Sequence, residues 1–156
     1  MDVFIYSTVF LLVGFIGMEL FSWFFHKHIM HGWLWNIHKT HHTKTKGFFE
    51  LNDIFSLIFG SSAIVLILLG LANFDYRFWI GVGISLYGFS YFILHDVFIH
   101  RRLKFMKKPT NSYLDAISKA HQDHHKTRKR DGSVSFGLLL VPKKYFRKNR
   151  RSKSFQ

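Results

Sequence analysis

Ten of the eleven histidines in this chain of 156 residues stand in four motifs with repeated spacings. Two motifs are His-x4-His pairs and two are His-x2-His-His triplets; the first pair is His26 and His31, the first triplet His38, His41 and His42, the second pair His95 and His100, and the second triplet His121, His124 and His125. Imidazole binds iron, zinc, copper and nickel, so ligand type alone does not choose the metal. Ten imidazoles exceed what one tetrahedral ion can use. The repeated triplets therefore predict two metal ions in a quasi-symmetric cage.

The sequence contains no cysteine, which restricts the chemistry that the chain can perform. Disulfides, thiolate zinc sites, cysteine-ligated iron–sulfur clusters and thiol nucleophiles are all excluded. A metal must then be held by histidines and carboxylates. No nucleotide-binding fingerprint of the G-x-G-x-x-G type is present either, so a redox reaction at this site needs electrons from outside the chain.

Helical geometry groups some of the imidazoles of the first region on one face. At about 100° per residue, three of them fall within roughly 40° of one another, namely His31, His38 and His42. His26 lies about 140° from His31 on the same projection, and His28 fits this face better. Geometry alone thus favours His28. Binding by His26 requires the helix to break or bulge between residues 27 and 32, a stretch that ends in Gly32.

The second pair has the same spacing of five residues. His95 and His100 would lie about 140° apart on an ideal helix, so joint metal binding predicts a distorted helix end. Asp96 and Asp123 each follow or precede a histidine candidate, and we expect them to accept the second imidazole N–H from the outer shell of the site. Glu19 has two open interpretations, as a carboxylate of that outer shell or as a polar residue in helix packing.

A helix is expected to carry the second triplet. Ser112 and Asp115 have the spacing of a capping box that would begin this helix. Four residues then share one face, and the two imidazoles among them continue its apolar stripe: Leu114, Ile117, His121 and His125. The triplet therefore points into the protein.

Three apolar segments must position these motifs, at residues 3–25, 54–72 and 78–99. Each is long enough to cross about 30 Å of hydrocarbon. The first lacks the basic start and the cleavage site of a signal peptide, and a chain of this size could not cover three such helices in a soluble fold. The sequence predicts an all-α integral membrane bundle with three to four transmembrane helices and a cytoplasmic, histidine-rich helical cap that holds two metals. Residues 1–142 form the membrane-embedded domain, and residues 143–156 form a basic C-terminal tail.

Charge sets the expected orientation. The chain carries 22 Lys and Arg against 9 Asp and Glu, a formal charge of +13. With the N-terminus outside, 21 of the 22 basic residues are cytoplasmic and only Arg77 lies on the other side. This predicts a bacterial inner-membrane protein whose histidines and C-terminus are cytoplasmic. A nucleic-acid partner is not expected, because the basic tail follows the membrane segments and suits lipid headgroups.

The motifs resemble one known family. The four histidine motifs, Met18-Glu19 upstream, His95-Asp-x3-His100-x-Arg102 and the sequence Gly132-Ser-Val-Ser-Phe-Gly137 look like the bacterial β-carotene hydroxylases of the fatty-acid hydroxylase and sterol desaturase superfamily. The resemblance covers residues 18–142. It implies a membrane monooxygenase with two non-haem iron ions, O2 as co-substrate and external electrons, which hydroxylates C3 of the β-ionone rings of β-carotene to β-cryptoxanthin and zeaxanthin. The implied ligands are the ten histidines of the four motifs; His28 is outside the pattern.

The implied partners are a carotenoid in the bilayer and a ferredoxin-like or other electron donor at the cytoplasmic face, where the basic surface would attract an acidic protein. Sibling activities use the same ligands: a carotenoid ketolase, or a hydroxylase or desaturase of fatty acyl or sterol substrates. A different class is a non-catalytic membrane protein that binds metal or haem. A haem needs two axial histidines and leaves eight unexplained. A transporter would place its ligands near the middle of the membrane.

Overall fold

A computed structural model describes residues 2–43, 47, 49–103 and 111–146, and these residues form helices and loops without a β-strand. Helix α1 spans Val3–Phe25 and continues as a π-helix over His26–Met30. Helices α2 and α3 span Trp35–His42 and Asp53–Gly70. Helix α4 spans Tyr76–Tyr91 and continues as a π-helix over Phe92–Ile99, α5 spans Ser112–His124, and a 3-10 turn covers Lys143–Phe146.

Three helices in the described part of the chain are long and apolar enough to span a membrane. They cover Val3–Met30, Asp53–Gly70 and Tyr76–Ile99, with mean hydropathies of 2.0, 2.1 and 1.5. Their outer surfaces are apolar, as expected for contact with lipid: Leu57 is 70% exposed and Phe89 is 64% exposed. The predicted fold class, an all-helical membrane bundle with a histidine-rich end, is confirmed.

Helix α4 packs against both α1 and α3. Glycines allow the close approach on both sides: a Cβ at Gly83 would lie 2.2 Å from the Leu11 carbonyl oxygen, and one at Gly81 would lie 2.8 Å from that of Ala63. Nearer the histidines, α1 and α3 meet through phenylalanine rings, with Phe25 and Phe59 at 5.3 Å. Backbones therefore approach closely at the α4 contacts, whereas large aromatic side chains fill the contact between α1 and α3 nearer the histidines.

The start of α5 differs from the sequence prediction. Asn111 caps the helix, because its side-chain oxygen accepts the Tyr113 N–H at 2.7 Å, and Ser112 is already the first helical residue. Asp115 pairs with Lys119 at 2.6 Å instead of closing a capping box. Asn is as good an N-cap as Ser, and here it stands one residue earlier.

The basic tail is described only at its beginning. Tyr145, in the turn Lys143–Phe146, is buried against Ala116 and Ala120 of α5. Residues 147–156 of the tail lie outside the described residues, as do Lys44 and Lys46 of the basic loop.

Candidate metal centre

Nine histidines from the four motifs converge in two groups at one end of the bundle. Cluster A consists of His26, His31, His38, His42 and His124, and cluster B of His41, His100, His121 and His125. In each cluster one nitrogen from every imidazole lies within 4.8 Å of all the others. Two groups of this kind are what a two-metal site requires, and both fall on the residues that the spacings singled out.

Each triplet is shared between the two clusters. Its first and third histidines, four residues apart, lie on one helix face and enter the same cluster. The second histidine enters the other cluster, so His41 of the first triplet belongs to cluster B and His124 of the second triplet belongs to cluster A. The exchange gives the two clusters the approximate symmetry that the repeated triplets predicted.

The two π-helical segments align the His-x4-His pairs. The His31 N–H donates to the His26 carbonyl at 3.0 Å, and the His100 N–H donates to the His95 carbonyl at 2.8 Å. An i to i+5 hydrogen bond brings together side chains that an α-helix would separate. The expected distortion is present at both places, and the single-helix projection of the first region is wrong because α2 begins only at Trp35.

The π-helix also decides between the two candidates of the first pair. His26 enters cluster A, whereas His28 is exposed, with its ring 4.9 Å from that of Phe24. The helical face that favoured His28 does not exist in this segment.

In cluster A, hydrogen bonds to carbonyl oxygens fix the protonation of four imidazoles. Each Nδ1–H donates at 2.9–3.0 Å to a main-chain oxygen; the pairs are His26 to Phe136, His31 to Arg130, His42 to Thr127 and His124 to Val134. The Nδ1–H of His38 donates to the side-chain oxygen of Asn52 at 2.7 Å. A neutral imidazole that donates from Nδ1 presents a lone pair at Nε2. All five Nε2 atoms of cluster A are thus prepared as metal ligands.

These lone pairs face each other at short distances. The Nε2 atom of His38 lies 3.0 Å from that of His26 and 3.2 Å from that of His42, and those of His31 and His124 are 3.2 Å apart. With every Nδ1 already donating, none of these nitrogens has a proton to share. Only a cation between them relieves the repulsion, so the residues of cluster A fit a bound metal ion.

Cluster B fits a metal on a different observation. The Nε2 atoms of His41 and His125 are buried and have no hydrogen-bond partner among the described residues. The Nε2 atoms of His100 and His121 lie 2.8 Å apart. Buried nitrogens without partners are rare in proteins unless an ion or water occupies the site. A metal ion would satisfy both.

A carboxylate contacts one histidine of cluster B. Glu50 accepts the Nδ1–H of His41 at 3.0 Å. Arg102 compensates this charge: it donates to Asp53 at 2.7 Å and lies 3.5 Å from Glu50. No sequence pattern assigned a role to Glu50, Asn52 or Asp53, and Arg102 was named only as part of the motif around the second His-x4-His pair. The available signal was the group of three polar side chains within residues 50–53, directly before an apolar membrane segment.

His95, the tenth predicted ligand, lies beside cluster B. Its ring is 4.6 Å from that of His100 and 4.6 Å from that of His121. Its Nδ1–H donates to Asp96 at 2.7 Å, as the sequence predicted, and its Nε2 accepts the Tyr91 hydroxyl at 3.1 Å. The free nitrogen is therefore satisfied by a protein group instead of converging with the others.

The other two predicted carboxylates contact different partners. Asp123 pairs with Lys126 at 2.5 Å, where the sequence predicted an imidazole. Glu19 is buried and accepts the main-chain N–H groups of Leu139 and Leu140 at 2.9 Å each. It thus binds the end of residues 127–140, called here the closing segment, which supplies the four carbonyl acceptors of cluster A.

Burial keeps the imidazoles neutral. It is the largest cause that lowers the pKa of His38 to about 3, and of His42 and His100 to about 4. The same cause, with neighbouring imidazoles second, lowers the pKa of His124 and His125 to about 2. Metal ligands must be deprotonated. These candidate ligands are therefore in the form that binds a metal at neutral pH.

An apolar cavity of about 410 Å³ leads from the membrane helices to the histidines. Its walls come from α1, α3 and α4 and include Phe25, Phe59, Gly60 and Gly88. At one end it reaches His26, His38, His95 and His121. A second cavity, of about 540 Å³, opens on cluster B between Glu50, Arg102 and Gln122. The metal centre thus has an apolar approach from the membrane and a polar one from the other side.

Comparisons with known proteins agree with this site. A family model described as fatty acid hydroxylase matches residues 11–142. The chain is 42% identical over 137 residues to a beta-carotene hydroxylase of Pseudescherichia vulneris, covering 88% of this chain and 78% of that protein. It is 41% identical over 138 residues to that of Pantoea ananas, covering 88% and 79%.

A plant relative is more distant. The chain is 37% identical over 132 residues to the chloroplastic beta-carotene 3-hydroxylase 1 of Arabidopsis thaliana, covering 82% of this chain and 42% of that protein. No solved structure matches the chain. The family match spans all four histidine motifs, both π-helical segments and the closing segment. On these grounds the chain belongs to the fatty acid hydroxylase family.

Proposed function

We propose that this protein is a membrane non-haem diiron monooxygenase that hydroxylates C3 of the β-ionone rings of β-carotene, giving β-cryptoxanthin and then zeaxanthin. The observation that carries the proposal is an apolar cavity between the membrane helices that ends at two histidine clusters. The chain that forms it is 42% and 41% identical to two bacterial beta-carotene hydroxylases. Each turnover consumes one O2, two electrons and two protons, and converts one C–H bond into an alcohol with release of one water.

Iron bound by clusters A and B supplies the oxidising power that an unactivated C–H bond needs. The chain itself supplies ligands of fixed tautomer, because Nδ1–H groups donate to the closing segment, Asn52 and Glu50. It also supplies position. The ring of the substrate is placed against the histidines by apolar walls, which hold it in one orientation and exclude water.

The cavity fits one end of a long apolar molecule. On α3 it extends from Phe55 to Ile64, and the nine helical rises between these residues span about 14 Å. A C40 polyene is longer than this, so that one ring enters the cavity while the remaining chain lies in the hydrocarbon beside α1 and α3. The ring that has reacted must leave before the second ring enters. β-Cryptoxanthin is accordingly released as a true intermediate.

Electrons come from an acidic, ferredoxin-like donor that docks on the cytoplasmic face. Arg128, Lys129 and Arg130 are exposed on the closing segment, and the Arg130 carbonyl accepts the Nδ1–H of His31. A donor on these cations stands one hydrogen bond from a ligand of cluster A. Charge reversal at Lys129 and Arg130 should slow reduction by the donor protein at low salt and should not change it at high salt, where the charges are screened. Reduction by dithionite should be unchanged.

The orientation has a direct test, because the chain has no native cysteine. We propose an inner-membrane protein with its N-terminus outside and its histidines and C-terminus cytoplasmic. A single cysteine at Asp2 should react with a membrane-impermeant maleimide in intact cells, and one at Lys129 should react only after lysis. The reverse labelling pattern would contradict this orientation.

The experiment that tests the function is expression in a bacterium that makes β-carotene, with chromatography of the pigments. Zeaxanthin and β-cryptoxanthin should appear with the native chain. H26A should abolish them because His26 belongs to cluster A, whereas H28A, which changes an exposed histidine two residues away, should retain them. The purified protein should contain about two irons per chain and no Soret band, in keeping with a site of this ligand type.

The alternative functions that the sequence left open give different results in the same experiment. Ketones at C4 would identify a ketolase. Unchanged β-carotene with two bound irons would point to a fatty acyl or sterol substrate. A Soret band, or normal zeaxanthin from H26A, would contradict the diiron assignment.

A further inference from the structure

The geometry points to Glu19 as a positioning residue for cluster A: its carboxylate, placed inside the first membrane helix, holds the closing segment at the distance that the cluster requires. This inference depends on the proposed function only in that cluster A binds a metal ion. Both interpretations that the sequence left open for Glu19 enter it, because Oε1 binds the segment that orients cluster A and Oε2 binds Tyr87 of the neighbouring helix α4.

The carboxylate is buried, and three donors among the described residues form hydrogen bonds to it. One oxygen, Oε1, accepts the N–H groups of Leu139 and Leu140 at 2.9 Å each. The other, Oε2, accepts the hydroxyl of Tyr87 at 2.8 Å, and that hydroxyl is 2.7 Å from the hydroxyl of Ser22. Glu19 is 4% exposed. A buried carboxylate in an apolar helix is costly unless donors satisfy it, and here residues 120 and 121 positions away provide two of them.

The contact is transmitted to cluster A over three residues. Phe136 precedes Leu139, and its carbonyl accepts the Nδ1–H of His26 at 2.9 Å. The ring of Phe136 also lies 5.2 Å from the rings of His31 and His124. Two residues earlier, the Val134 carbonyl accepts the Nδ1–H of His124 at 3.0 Å. A shift of the segment end therefore moves two acceptors that orient ligands.

Gly137 has no side chain, which allows the closing segment to lie close to Glu19. A Cβ at this position would lie 3.1 Å from Oε1 of Glu19 and 3.6 Å from Cδ1 of Trp23. The motif Met18-Glu19 and the sequence Gly132–Gly137, which no ligand role explains, are thus the two sides of one contact. Tyr113 gives the segment a second attachment by donating to the Leu139 carbonyl at 2.7 Å. Loss of Glu19 should consequently loosen the segment without detaching it.

The test compares E19A with E19Q in the full chain in lipid nanodiscs. The amide oxygen of Gln accepts the same two N–H groups, so E19Q should keep the segment in place and E19A should not. In the metal-free protein, the amides of Leu139 and Leu140 should exchange with deuterium about tenfold faster in E19A, because each has lost a buried hydrogen bond to a charged acceptor. Titration with Co(II), followed by its absorption spectrum, then counts the ions bound per chain.

The expected result is two bound ions in the native chain and in E19Q, and about one in E19A, with cluster B still filled. Y87F is the matched control: it removes the donor to Oε2 but leaves both N–H bonds to Oε1, and should bind two ions. If E19A does not accumulate in the membrane, G137V disturbs the same contact from the segment side and should also speed exchange at Leu139 and Leu140.

The inference is overturned by full Co(II) binding and native exchange in E19A, by the same loss in E19Q as in E19A, or by unchanged exchange in G137V. None of these results depends on which substrate the enzyme oxidises. A failure of the carotenoid proposal would appear in the pigments alone, with the exchange and Co(II) results intact.

Discussion

The two histidine clusters use one ligand type with two different surroundings. In cluster A the Nδ1–H groups donate to main-chain carbonyls and to the amide of Asn52. In cluster B the Nδ1–H of His41 donates to the carboxylate of Glu50, which lies near Arg102. A carboxylate acceptor makes an imidazole a stronger donor to a metal than a neutral acceptor does. The tautomer of an imidazole can thus be set by a main-chain carbonyl or by a carboxylate, and the two clusters offer different surroundings to any metal ion that they bind.

The strongest test of the division into two clusters uses adjacent residues. H41A should remove the ion of cluster B, and H42A should remove the ion of cluster A, although both changes lie at the end of α2. Both variants should lose all hydroxylated product, because the proposed reaction uses both ions. Co(II) titration of each variant, alone and combined with N52A or E50A, identifies the ion that remains. Loss of both ions in both single variants would show that the clusters are one cooperative unit.

Acid should destabilise the metal-free protein through both clusters together. Burial lowers the pKa of His42 in cluster A and of His100 in cluster B to about 4, from an ordinary value of 6.5. The unfolded chain takes up these protons as the pH falls through 6.5, whereas the folded chain does not until about 4. Each such histidine removes up to about 1.4 kcal/mol of unfolding free energy per pH unit in that window.

Thermal unfolding in nanodiscs between pH 7 and pH 4.5 measures this loss of unfolding free energy. The range extends about two pH units below the ordinary histidine pKa. The melting temperature of the metal-free protein should fall steeply, and that of the iron-loaded protein should fall less, because the metal competes with protons for the ligands. Equal slopes with and without iron would contradict the assignment of these histidines as ligands.

Removing the side chains that accept hydrogen bonds from His38 and His41 should weaken metal binding at one cluster at a time, by less than removing a histidine does. N52A should weaken metal binding in cluster A, and E50A should weaken it in cluster B, each by about 10–100-fold in affinity. E50Q keeps an acceptor but removes the charge, so it should lie between E50A and the native chain. Competition of each variant with a chelator, read from Co(II) absorption, gives both affinities. An E50A variant with a weakened cluster A would break the distinction between the two surroundings.

The membrane helices and the histidines were predictable from the sequence because each signal is local. Apolar segments of 18 residues or more read directly as spanning helices, and α3 begins at Asp53, one residue before the predicted segment. Repeated spacings singled out the nine histidines that converge in clusters A and B, and the five-residue pairs predicted distorted helix ends. The π-helices His26–Met30 and Phe92–Ile99 confirm that expectation.

The outer shell was not predictable, because it depends on contacts between distant parts of the chain. Main-chain carbonyls have no sequence signal, so the acceptors on the closing segment are invisible before the fold is known. The same holds for the contact of Glu19 with Leu139, 120 residues away. The sequence also did not predict that the middle histidine of each triplet, His41 or His124, joins the cluster of the other triplet. A helical projection shows on which helix face a side chain lies, but not which neighbouring element packs against that face.

A smaller change on the closing segment tests whether backbone shape alone positions cluster A. Ser135 has φ +62°, in the left-handed region, and stands between the two carbonyls, of Val134 and Phe136, that orient His124 and His26. A β-branched residue is strained there, whereas glycine is not. Both S135G and S135V lack the hydroxyl, so any difference between them comes from the backbone.

S135V should weaken Co(II) binding in cluster A by about tenfold, which corresponds to a strain of about 1–2 kcal/mol in the left-handed region, and S135G should bind as the native chain does. Cluster B is the internal reference in each titration, since the partner shown for its His41 is a side chain of Glu50 and not a carbonyl of this segment. Equal weakening of both clusters in S135V would mean that the segment serves the whole cap. Weaker Co(II) binding in cluster A alone would show that the backbone conformation at residue 135 positions the histidines of cluster A and not those of cluster B.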